Sequence, residues 1–146
     1  MTGNELLCQL NTKLVGQYSH GEKNIDDVKA QIEARSRAIL ADIPKENDIN
    51  KKQAAIIVHE YLLRVLGEED EKDISRAAIL KDLYDCRVCV GHITQVYVKG
   101  IIEPQINERE SGNTGLPVIF GGNEILSKDE SRLIVERTFD KGKRFK

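Results

Sequence analysis

A chain of 146 residues, 40% apolar and 32% charged, carries enough hydrophobic side chains to bury a core of its own without help from a disulfide or a metal. Its 22 basic and 24 acidic residues leave a net charge of −2, which excludes a global field drawing the protein onto nucleic acid or an anionic membrane; such contacts must be local. No apolar run approaches the roughly 18 residues of a membrane span, and Met1 to Leu10 lacks the basic-then-apolar order of a signal peptide.

Cys8, Cys86 and Cys89 are odd in number and make a poor disulfide framework, so the chain reads as a cytoplasmic protein with no membrane contact. With only 4 Tyr, 3 Phe and no Trp the core must be largely aliphatic, which suits packed helices better than a β-sandwich. The expected fold class is mainly α: a helical bundle over 1–110, and a glycine-containing segment over 111–146, extended, α or β, with a basic tail, packed on the same domain.

Leu6, Leu7, Leu10, Leu14 and Val15 form the apolar stripe of a first helix that stops at Gly16 or at Ser19-His20-Gly21. A second helix follows Asn24, with Asp26 and Asp27 complementing the helix dipole, and carries Val28, Ile32, Ile39 and Ile43 before Pro44 ends it. The stretch Ala54 to Leu66 is apolar around most of its circumference and reads as a central helix ended by Gly67. Glu68 to Asp73 is too polar to be buried and should form an exposed acidic connection, with Asp73 as the N-cap of the next helix.

The longest periodic signal is Ile79, Leu83, Cys86, Val90, Ile93, Tyr97 and Ile101, spaced 4, 3, 4, 3, 4 and 4. It predicts one long helix over about 74–102, about 45 Å at the standard rise per residue, with Gly91 marking a kink or a close crossing. From Glu108 to Gly122 the glycines and Pro117 argue against helix, and Leu116 to Phe120 suits a short strand. Ser127 and Glu130 have capping-box spacing, yet Arg132 to Phe139 has strong β character, so this segment is helix or strand, making a small mixed or β-containing C-terminal region.

Cys86, Cys89 and His92 together supply three of the four ligands of a zinc site, but no second ligand pair follows at finger-like spacing. Small buried cysteines are the expected reading, with metal or thiol chemistry as the rivals. His59-Glu60 begins like a metalloprotease helix, but Leu63 stands where the second histidine belongs, which makes His59 a satisfied, half-buried histidine and His20 a loop residue. Glu33, Glu60, Asp82 and Asp85 are the carboxylates that a metal-dependent all-α enzyme would use, although they fall mostly on polar faces.

Segment 127–146 holds seven basic residues against four acidic ones, concentrated at its end. Lys141, Lys143, Arg144 and Lys146 offer phosphate contacts there, and Phe145 a base-stacking surface. The functional expectation is a non-enzymatic interaction or regulatory module, self-associating or binding a protein partner through the seam Ile79, Leu83, Val90, Ile93, Tyr97 and Ile101. A nucleic-acid accessory role for the tail comes second and a small metal-dependent enzyme third; no catalytic residue, metal or cofactor is assigned.

Overall fold

The computed structural model describes residues 1–17, 25–41, 43 and 47–145. Among them are six α-helices: α1 (Gly3–Gln17), α2 (Ile25–Ser36), α3 (Lys51–Tyr61), α4 (Val90–Val98), α5 (Glu108–Thr114) and α6 (Lys128–Phe139). Tight 3-10 turns and one wider π-type turn over Leu62–Leu66 join them. The mainly α expectation holds, and no helix is long and apolar enough to cross a membrane among the described residues. Ser19, His20, Gly21, Asn24, Pro44 and Lys146 lie outside the described residues.

The centre is α3, packed against α1 and α4, with Ala54, Ala55, Ile57, Val58 and Tyr61 buried. Its start is closed by a capping box in which Asn50 accepts from the Gln53 amide at 2.9 Å and Gln53 returns the bond to Asn50 at 3.0 Å. The Lys51 and Lys52 amides, also without intrahelical partners, donate to the carbonyls of Glu124 (2.9 Å) and Gly122 (3.0 Å). Against this centre α1 buries Leu6, Leu7, Leu10 and Leu14, the predicted stripe. The second predicted helix tightens after Ser36 into the turn Arg37–Leu40, which keeps Ile39 buried.

The single long helix over 74–102 does not form. Only Val90–Val98 is α-helical, preceded by the turns Ser75–Ile79, Leu83–Asp85 and Arg87–Cys89, with extended backbone at Leu80 (φ −70°, ψ 112°) and Cys86 (φ −124°, ψ 105°). Polar groups in this stretch are committed elsewhere: the Lys81 amide donates to the Val118 carbonyl at 2.9 Å, and the Asp82 carboxylate accepts from the Phe120 and Gly121 amides, each at 2.8 Å. The turns keep Leu83 of the predicted seam buried but turn Leu80 and Cys89 inward in place of Ile79, which is 40% exposed, and of the half-buried Cys86. Gly91 marks no close crossing, since a Cβ there would meet nothing within 4 Å.

The β-containing C-terminal segment is likewise replaced. Residues 116–126 make only isolated bridges, Ile106 with Ile119 and Asn50 with Ile125, and no strand forms among the described residues. Helix resolves the 128–139 alternative, its start closed by the Ser127–Glu130 capping box. A short helix, α5, forms where none was expected, because Asn107 caps it by accepting from the Glu110 amide at 2.8 Å and Gly115 stops it with φ 75°. Val118, Phe120, Leu126, Ile134 and Val135 join the same core as α1 and α3.

The acidic connection is only partly solvated, which corrects the expectation that all of it is exposed. Glu68 turns inward, its side chain 17% exposed, and meets Lys99 Nζ at 2.7 Å and the Arg144 guanidinium as a fork at 3.0 and 2.9 Å. Lys99 Nζ also donates to the Glu69 carbonyl at 2.7 Å, and Arg144 to the carbonyls of Arg137 (2.8 Å) and Thr138 (3.1 Å). Gly100 permits this closure: its φ of 75° is left-handed, and its carbonyl accepts the Phe145 amide at 3.0 Å where a side chain would strike the Phe145 backbone.

Burial alone would raise the Glu68 carboxyl, but the hydrogen bonds from Arg144 and Lys99 outweigh it and hold the group at about 2, below its ordinary 4.5. Because the folded value lies below the unfolded one, this stabilisation is present above pH about 4.5 and is lost as pH falls towards about 2. Glu68→Ala leaves two buried cations unpaired and should destabilise the protein by about 3–5 kcal/mol in urea denaturation, with a flattened acid limb of stability against pH.

Candidate functional site

Cys86 and Cys89 form a disulfide, with Cα atoms 5.2 Å apart, which corrects the expectation of small unpaired core cysteines. The break in the long helix is the local cause, since extended backbone at Cys86 brings the pair together at the entrance to α4. Cys89 is the residue before the first turn of α4 and is 2% exposed, whereas Cys86 is half-buried. Cys86 borders a small pocket of about 90 Å³, walled by Lys52, Asp82, Asp85, Ile93 and the Gly122-Asn123 turn. Lys52 Nζ donates to Asn123 Oδ1 at 2.8 Å, tying α3 to that turn. Cys8, far off on α1, is an exposed free thiol.

One turn into α4 stands His92. Its Nδ1 lies 2.8 Å from Nδ1 of His59, and His59 Nε2 lies 2.6 Å from the Asp70 carboxylate. The two imidazoles meet edge to face, centroids 4.9 Å apart, so the chain Asp70, His59, His92 joins the acidic connection, α3 and α4. His59 is satisfied, as its sequence setting suggested, but at 6% exposed it is buried rather than half-buried, and nothing in the spacing announced partners 11 and 33 residues away. Burial, then the neighbouring His59, pushes the His92 imidazole below its ordinary value, while Glu60 and Asp70 oppose this.

The Cys86, Cys89 and His92 cluster does not assemble as a metal centre: among the described residues no group of three or more His, Cys, Asp or Glu side chains is placed to hold a metal ion. Of the candidate carboxylates only Asp82 and Asp85 share a pocket wall. Glu60 pairs with Arg64 at 2.6 Å, Asp82 serves the backbone of Phe120 and Gly121, and Glu33 and Asp85 are exposed.

Of the proposed seam, Leu83, Ile93, Tyr97 and Ile101 are at most 4% exposed and belong to the core, Val90 is half-buried against it, and Ile79 is 40% exposed. In the basic tail, Arg144 is held by Glu68 and Phe145 packs on Tyr97, centroids 6.3 Å apart, beneath Arg137; Lys141 and Lys143 are exposed.

Two measurements check this placement. Ile93→Ala should cost about 2–5 kcal/mol with an unfolding midpoint independent of protein concentration, because the side chain fills a core within one chain. In a proton NMR titration His92 should have its midpoint below 6.5. Since the unfolded chain then takes up the proton more readily, stability should fall as pH drops through that range.

The chain matches no family model, no curated protein and no solved structure at a significant level.

Proposed function

We propose that the protein is a thiol–disulfide exchange module whose working group is the Cys86–Cys89 pair. The observation that carries this reading is the asymmetry of the pair: Cys86 is half-buried beside a small pocket while Cys89 is covered. In this reading Cys86 is the sulfur that a substrate attacks and Cys89 the one that resolves the intermediate.

The chemistry follows from that asymmetry. A substrate thiolate attacks Cys86 Sγ, the Cys86–Cys89 bond breaks, and Cys89 leaves as a thiolate. A second substrate thiolate attacks the mixed disulfide, expels Cys86 as a thiolate and leaves as the substrate disulfide, so two electrons pass from substrate dithiol to protein. Two protons released by the substrate thiols balance the exchange, and the reverse reaction reduces a disulfide. The α4 N-terminus favours thiolate at the pair, as partial positive charge does at helix starts.

A purely structural staple fits less well. A loop as short as that between Cys86 and Cys89 constrains the unfolded chain little, about 2 kcal/mol on the loop-entropy scale against about 5 for a 100-residue loop. The seam reading is weakened because its residues are used within the chain, and the tail reading because Arg144 and Phe145 are engaged in the fold.

The test is equilibration in glutathione redox buffers followed by thiol alkylation and mass measurement, with Cys8→Ser as background. Reversible interconversion of a folded two-thiol form and a disulfide form is expected. Cys89→Ser should accumulate a mixed disulfide with glutathione at Cys86, whereas Cys86→Ser should form far less at the covered Cys89. A disulfide that opens only on unfolding would overturn the proposal.

A further inference from the structure

We propose that the chain Asp70, His59, His92 is the proton relay of the Cys86–Cys89 couple, with Nε2 of His92 as the base that takes the Cys89 thiol proton. This inference rests on the dithiol reading and adds residues that the reading does not require. It is carried by the three-group hydrogen-bond chain and by the position of His92, three residues after Cys89 at the start of α4.

With both imidazoles neutral, the hydrogen bonds define one set of tautomers. The Asp70 carboxylate only accepts, so His59 donates to it from Nε2–H across 2.6 Å. A neutral His59 then has a lone pair on Nδ1, and the 2.8 Å contact requires His92 to donate from Nδ1–H. That leaves the lone pair of His92 on Nε2, the atom free to accept a proton. Residues three apart on a helix are neighbours, with Cβ atoms about 5–6 Å apart, and Cys89, the N-cap with near-helical backbone (φ −93°, ψ −15°), stands in about that relation to His92.

The surroundings favour a base held ready. His59 and Glu60 face His92 from α3, and Asp70 does so from the connection. Glu60 is partly offset by Arg64 at 2.6 Å, and on the turns leading into α4 Asp85 and Arg87 are exposed. When His92 takes a proton, its Nδ1–H bond to His59 survives and the positive charge is shared towards the Asp70 carboxylate through His59. The balanced step has three parts: the Cys89 thiol gives its proton to His92 Nε2, the resulting thiolate attacks Cys86 Sγ of a mixed disulfide, and the substrate sulfur leaves as a thiolate. In the opposite direction imidazolium at His92 returns the proton to departing Cys89.

The experiment follows reoxidation of the reduced protein by oxidised glutathione across pH, together with far-UV thiolate absorbance, in a Cys8→Ser background. The parent should show a rate midpoint below 6.5, following His92. His92→Ala should slow the resolving step by about 100-fold at neutral pH, move the midpoint to higher pH, and recover on addition of free imidazole. Asp70→Asn, at an exposed position, keeps the hydrogen bond but removes the charge, so it should move the midpoint to lower pH without abolishing exchange. Exchange that continues in His92→Ala with the parent pH profile, or an unmoved midpoint in Asp70→Asn, overturns the relay and leaves the dithiol reading standing. A parent protein with no exchange overturns both.

Discussion

The buried ion cluster around Glu68 is the contact on which the rest of the arrangement depends. Three segments remote in sequence meet there: the connection leaving α3, the end of α4 at Lys99, and the segment after α6 at Arg144. Each cation is almost wholly covered, so neither tolerates the loss of its carboxylate, and each also bonds to a main-chain carbonyl. Buried ion pairs add little net energy beside apolar packing of equal volume, but they are unforgiving of wrong partners, and here they specify which segments dock together.

The same docking sets up the candidate site. With Glu68 pinned, the connection runs back along α4, where the buried Gln95 side chain accepts from the Glu71 amide at 2.8 Å and donates to its carbonyl at 3.2 Å. Asp70 is thereby held within reach of His59, on the central helix. The histidine pair then bridges the closely packed α3–α4 contact a turn beyond the disulfide. The charge cluster at one end of α4 and the histidine pair near its other end are thus connected by a short, hydrogen-bonded strap.

What the sequence makes legible is set by local physics. The α1 stripe, the buried α3 and the Ser127–Glu130 capping box depend on residues within a turn or two of one another, and each is present in the fold. Illegible features are those decided by distant partners. The seam from Ile79 to Ile101 has helical spacing, yet Asp82 and the Lys81 amide are drawn to residues near 120, and that breaks the helix. Glu68 reads as solvent-facing in the sequence because nothing near it announces Lys99 or Arg144. For the site, Cys86, Cys89, His92 and His59 are each visible as chemistry-bearing residues; the disulfide between the first two and the bond between the histidines come only from tertiary placement. Asp70 carries no signal of its own, being one of six charged residues in a row.

The closure of α3's first turn by the carbonyls of Gly122 and Glu124 bears on the order in which the chain folds. The central helix is made early in the sequence, but its first amides wait for partners about 70 residues further on, as Lys99 waits for Arg144 to complete the charge cluster around Glu68. A growing chain therefore holds its main hydrophobic helix with an unfinished end until the 120s have been synthesised. Such long-range closure is slow compared with helix formation. It also means that a fragment stopping near residue 110 would keep most of the helices and still lack the groups that fasten them.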